Sequence, residues 1–187
     1  MDVTEVTHEL RRLADLVRER NRVEKGITSI IGRPASIGHL GEFIAARVFD
    51  IQLEASAAHK GSDGRFQAGP LTGRTVNIKW YAKRENILDI RPDALPDFYL
   101  VLTGPHQPAM ASRGQSRPSV IDAVFLFDAK ALILALQASG VKIGIASSVA
   151  SALWIAAEIY PRANNARSTV TSTQEEQLRF FASTEPR

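Results

Sequence analysis

The run VNIKWY, residues 76 to 81, constrains the fold of this chain more than any other stretch. As a strand it puts Val76, Ile78 and Trp80 on one face and Asn77, Lys79 and Tyr81 on the other. Lysine is almost never fully buried unless it is paired. Lys79 therefore either faces solvent on a half-exposed strand or is aimed at something anionic. Asn77 and Lys79 point the same way, about 7 Å apart along the strand.

The residues just upstream favour the second reading. GSDGRF and the VNIKWY run are joined by the turn-rich AGPLTG, which predicts a hairpin of strands over about 62–67 and 74–81. A hairpin centred near Pro70 and Leu71 sets Asp63 opposite residues 77 to 79. Gly61 and Gly64 flank Ser62 and Asp63 and leave room for a ligand to approach the backbone. A carboxylate, an amide oxygen and an ammonium then converge. Such a trio suits metal-assisted phosphodiester hydrolysis. Magnesium takes hard oxygen ligands, which Asp63, Asn77 and a nearby main-chain carbonyl supply, and Lys79 stabilises charge or positions water. Each residue also has a plainer role: Lys79 as a solvated strand residue, and Asp63 as a turn former in S-D-G.

The remaining pattern predicts α-α-β-β-β-β-α-β-α-α around one sheet. An amphipathic helix fills the first 25 residues, broken by Gly26 and by GRP at 32–34. A second helix over 37–49 has Ser36 as its N-cap. Glu42 on that helix has small and apolar neighbours, and is read either as an auxiliary metal ligand or as a partner of Arg47. Strands follow over 98–104 and 120–128, then the helix AKALILALQASG ended by Gly140. VKIGIA is predicted as a strand. SVASALWIAAEIY is predicted as a helix stopped by Pro161, and the last helix starts at Thr173 with Glu176 closing a capping box. Residues 1–34 read as an N-terminal helical segment and 35–187 as an α/β domain with a central mixed sheet flanked by helices.

Composition bounds the partners. The chain of 187 residues has no cysteine, so disulfides and thiolate metal sites are excluded. The charged N-terminal segment does not read as a secretory signal and no apolar run has membrane-spanning length, so a cytoplasmic location and no membrane partner are expected. The six acidic and six basic residues of 1–25 cancel, whereas 59–91 carries seven basic residues against three acidic ones. Lys60, Arg65, Lys83 and Arg84 are the candidate phosphate contacts in that window, and the loops around Arg113, Arg117, Arg162 and Arg167 extend the charge. A literal PD…DxK match at Asp97 and Asp128-Ala129-Lys130 reads better as a turn and a helix N-cap.

Helix-borne Glu42, then Asp63, thirteen intervening residues and Asn77-x-Lys79 in an apolar strand resemble the PD-(D/E)xK nuclease superfamily. The runs GEFIA, GSDG and VNIKWY are also similar to a bacterial domain family of unknown function, over about 35 to 165 of this chain. The resemblance implies a restriction-endonuclease-like α/β fold and a hydrolase that cleaves nucleic acid, with DNA as the first choice. It also implies Mg2+ or Mn2+ at Asp63, Asn77 and Glu42, and a homodimer or partner subunit where both strands are cut. Asn77 stands where the superfamily pattern has an acid, which removes one negative charge from the metal's ligands. The alternative expectation is a nuclease-like module that binds nucleic acid or assembles a complex without catalysis.

Overall fold

The computed structural model describes residues 3–55, 61–106 and 117–183. Lys60 and Arg113 lie outside them. The chain forms two compact units, Met1–Leu40 and Gly41–Arg187.

The first unit is dominated by helix α1 (Val3–Ile31). It continues through Gly26, where the sequence predicts a break, and ends where Gly32 adopts φ +70°. One interior glycine costs about 1 kcal/mol relative to alanine, a cost carried by a helix rich in Glu, Arg and Leu, with the exposed ion pairs Arg18–Asp15, Arg20–Glu24 and Arg22–Glu19 along it. The terminus demands a left-handed residue, and Gly32 supplies it. Helix α2 (Ile37–Val48) begins as expected, with the His39 amide donating to Ser36 Oγ at 3.3 Å.

The second unit is built on a sheet whose strands are β1 (Ile51–Leu53), β2 (Gly64–Phe66), β3 (Thr75–Tyr81), β5 (Phe98–Thr103), β6 (Ala123–Asp128) and β8 (Glu158–Tyr160), in the order β1-β2-β3-β5-β6-β8. A separate two-stranded ribbon pairs β4 (Ile87–Leu88) with β7 (Ser147–Ser148). Among the described strands, β3 and β5 run parallel and the other pairings are antiparallel. The sheet is therefore mixed and flanked by helices. Strand β5 is buried along its whole length, as its continuous apolar run requires when both faces are covered.

Strand β3 alternates as its sequence dictates: Val76, Ile78 and Trp80 are buried, while Thr75, Asn77, Lys79 and Tyr81 are half-buried. Helix α2 packs on the Trp80 side, so closely that a Cβ on Gly41 would sit 3.0 Å from Trp80 Cβ. The opposite face continues from Tyr99 and Val101 into Phe125 and Phe127, beneath α3 (Ala129–Ala138) and α4 (Ser151–Ala157). Trp154 of α4 stands edge-on to Phe125 and Phe127, with ring centroids 4.7 and 5.0 Å apart.

Three expectations are corrected. VKIGIA is not a strand: its end folds into a turn in which the Ala146 amide donates to Asp89 at 2.7 Å and the Gly144 amide to Ser147 Oγ at 2.8 Å. The predicted helix SVASALWIAAEIY stops at Ala157, and Glu158–Tyr160 instead extends the sheet beside β6. The open edge of β6 offers partners that outweigh the helical propensity of that segment. Helix α5 (Ser172–Arg179) starts two residues earlier in its capping, with Thr171 as N-cap and Gln174, not Glu176, completing the capping box.

Candidate functional site

The hairpin register decides what stands near Lys79. Strand β2 pairs Gly64 with Val76 and Arg65 with Thr75, so the turn is centred at Pro70 and the residue before β2, Asp63, falls beside Asn77. Two bonds hold it there. The Asp63 amide donates to Val76 O at 2.8 Å, and its carboxylate Oδ2 accepts the Ile78 amide at 2.7 Å. The carboxylate thus takes the place of a main-chain acceptor where β2 has ended, and it brackets Asn77 against β3. Asn77 Oδ1 is buried without a hydrogen-bond partner. Lys79, two residues on and on the same side as Asn77, forms no ion pair among the described residues.

The structure therefore places Asp63 beside Asn77, with Lys79 two residues further along β3 on the side of Asn77. Glu42 is half-buried on α2, on the side of the sheet that carries Trp80, whereas Asn77 and Lys79 issue from the other side. A carboxylate and an amide oxygen are the kinds of donor a hard cation accepts, and Asp63 and Asn77 supply one of each at this place. Among the described residues, no group of three or more His, Asp or Glu side chains gathers to hold a metal.

One expected feature of the site is overturned. The space beside Gly61 and Gly64 is filled by the protein's own backbone. A Cβ on Gly61, whose φ is +90°, would lie 1.8 Å from Ala94 O, and one on Gly64 would lie 2.5 Å from Gln52 O. These glycines let neighbouring chain segments close on Asp63. At these two glycines no room is left for a ligand.

The candidate phosphate contacts are mostly engaged. Lys83 is 10% exposed in its side chain and pairs with Glu85 at 2.6 Å. Arg65 lies 3.8 Å from Glu54 and donates to Gly73 O at 3.2 Å. Arg84 sits over the Phe125 ring, 5.5 Å from its centroid, with its Nε buried and unpartnered. The literal PD…DxK residues have structural duties. Asp97 accepts the Thr75 amide and hydroxyl, both at 2.8 Å, and Asp128 caps α3 by accepting the Ala131 amide at 2.8 Å. Burial alone would raise the Asp97 pKa, but the Thr75 bonds together with Arg74 and Arg65 outweigh it and hold the carboxyl below its ordinary value.

Sequence reasoning assigned no role to Thr103 and Glu158, buried polar residues at the ends of apolar strands. A threonine closing FYLVLT and a glutamate inside WIAAEIY were the available signals, since a buried polar side chain needs a partner. No protein-family model matches the chain, and no curated protein sequence matches it.

Proposed function

We propose that this protein is a metal-dependent nuclease of the PD-(D/E)xK type, with a restriction-endonuclease-like arrangement of its sheet, acting on nucleic acid and in the first instance on DNA. The observation that carries this reading is the Asp63 carboxylate held against Ile78 N, beside the unpartnered Asn77 Oδ1, with the Lys79 ammonium two residues away. Asp63 and Asn77 would hold Mg2+ or Mn2+, which when bound supplies acidification of a water and polarisation of the phosphoryl group. Asp63 contributes the charge that holds the cation and Asn77 a neutral oxygen. Lys79, on a rigid strand, keeps a positive charge fixed where negative charge accumulates as the phosphoryl group is attacked. Glu42, on the Trp80 side of the sheet, is not a ligand in this arrangement.

The test is cleavage of single- and double-stranded DNA and RNA in Mg2+ and Mn2+ by the wild type and by Asp63→Asn, Asn77→Asp, Lys79→Ala and Glu42→Gln. Cleavage should need a divalent ion and fall by about 100-fold or more in Asp63→Asn and Lys79→Ala, the range seen when one electrostatic group is removed from an active site. It should persist or rise in Asn77→Asp and change least in Glu42→Gln. Equal cleavage by wild type and Asp63→Asn would remove the site.

A second reading has its own support. The Asp63 carboxylate already accepts a strand amide, and its neighbour Asn77 is neutral, so the pair also suits a module that keeps the nuclease-like sheet for binding alone. That reading expects nucleic-acid binding without cleavage, and no stabilisation by Mg2+ or Mn2+ even in Asn77→Asp.

A further inference from the structure

At the C-terminal ends of the parallel pair β3 and β5 lies a cavity of about 280 Å³ whose lining includes Arg84, Thr103, Asp122, Glu158 and Arg162. It lies beyond Lys79: Val101 is the cross-strand partner of Lys79, and Thr103 is two residues further along β5, about 7 Å by the strand rise. Ligands of open α/β sheets commonly bind outside the carboxyl ends of such strands.

Two of its polar groups are unspent. Thr103 is 0% exposed, yet its hydroxyl has no hydrogen-bond partner, and the Nε of Arg84 is buried in the same condition. The Arg84 guanidinium lies over the Phe125 ring. Burial lowers the pKa of Arg84, with the charge of Glu158 opposing that shift and the charge of Arg162 adding to it. Asp122 is engaged elsewhere, accepting the amide and hydroxyl of Ser183 at 2.9 and 3.2 Å. Glu158 is 7% exposed and accepts from the Asn164 amide nitrogen at 3.4 Å.

We propose that this cavity binds a phosphate monoester whose organic part carries hydrogen-bond donors, a mononucleotide being the simplest such group. Two guanidiniums and a hydroxyl match the oxygens of a phosphate, which arginine grips in a two-pronged fashion. Glu158 repels a phosphate placed beside it, so it sets the orientation: the phosphate lies against Arg84, Arg162 and Thr103, and an N–H or O–H of the organic part donates to Glu158. The same chemistry is offered by a free nucleotide and by the 5′-phosphorylated end of a strand. The proposal does not rest on the hydrolytic centre, because none of its residues is Asp63, Asn77 or Lys79; it shares only Arg84 with the expected nucleic-acid contacts.

The experiment is calorimetric titration and thermal shift of the full chain with AMP, adenosine, inorganic phosphate, and a short oligonucleotide with or without a 5′-phosphate. AMP should bind and raise Tm, and adenosine should not. Arg162→Ala, at an exposed position, should weaken AMP by about ten-fold or more, as loss of a charged bond does. Glu158→Gln should tighten inorganic phosphate and narrow the advantage of AMP over it. Lys79→Ala should leave AMP binding unchanged even where it abolishes cleavage. Preference for the 5′-phosphorylated oligonucleotide over AMP identifies a strand end as the source, and the reverse identifies a free nucleotide. No binding of any phosphate probe, or AMP affinity untouched by both Arg162→Ala and Arg84→Lys, overturns the proposal.

Discussion

Asp63 carries two demands at once. Its carboxylate accepts the Ile78 amide at 2.7 Å, so it completes the sheet whether or not it also holds a metal. The two duties separate by substitution. Asparagine keeps an oxygen that can accept the amide, while alanine leaves a half-buried N–H without a partner, at a cost of about 1–3 kcal/mol. Asp63→Ala should therefore lower the stability measured by urea unfolding by that amount, whereas Asp63→Asn should unfold near the wild-type midpoint. Equal loss in both variants would show that the negative charge stabilises the sheet. Asp97 repeats the pattern at the other end of β3, where its bonds to Thr75 explain a sequence match that otherwise resembles a catalytic motif.

Among the elements, α1 shows that one interior glycine does not end a long helix rich in strong helix formers. Gly26 lies inside the helix, and a Cβ added there would meet nothing within 4 Å. Gly26→Ala should raise helix stability by about 1 kcal/mol, seen as greater ellipticity at 222 nm and later melting of a peptide spanning residues 3 to 32. No gain would mean that the helix frays at that point. Strand β8 makes the opposite lesson. Ala156, Ala157 and Glu158 favour helix, yet Glu158–Tyr160 is drawn into pairing with β6, with a register shift between Val124 and Phe125. The side-chain amide of Asn165 then donates to Leu126 O and Ala157 O at 2.8 and 3.2 Å, fastening the chain where helix gives way to strand.

For the molecule as a whole, electrostatics bear on the partner. In the window 59–91, Arg65, Arg74 and Lys83 lie 3.8, 3.1 and 2.6 Å from Glu54, Asp97 and Glu85. Two of those acids, Glu54 and Asp97, lie outside the window, so counting charge along the sequence overstates the positive field. Lys79, Arg84 and Arg91 have no ion pair among the described residues. Binding to duplex DNA should weaken with salt at a slope near −3 in log affinity against log salt, from ~0.9 per neutralised phosphate. Fluorescence anisotropy over a salt series measures it. A slope near zero would argue against a nucleic-acid partner, and one steeper than about −6 would show that the ion pairs open on binding.

Local chemistry was legible in the sequence wherever the partners were close along the chain. The period of two in VNIKWY fixed which residues of β3 are buried, because pleating alone sends successive side chains to opposite faces. The turn around Pro70 fixed the hairpin register, and that register placed Asp63 beside Asn77. Asp128 as a cap of α3 and Gly140 (φ +66°) at the helix end followed from the same short-range rules. Other features needed partners distant in sequence. The edge of β6 made a strand of Glu158–Tyr160, and Asp89 made a turn of the segment ending VKIGIA. Ala94 and Gln52 occupied the space beside Gly61 and Gly64, and Glu54 and Asp97 claimed two of the arginines. The cavity around Thr103 and Glu158 belongs with these. Its residues come from four separate stretches of chain, and only packing sets them around one space.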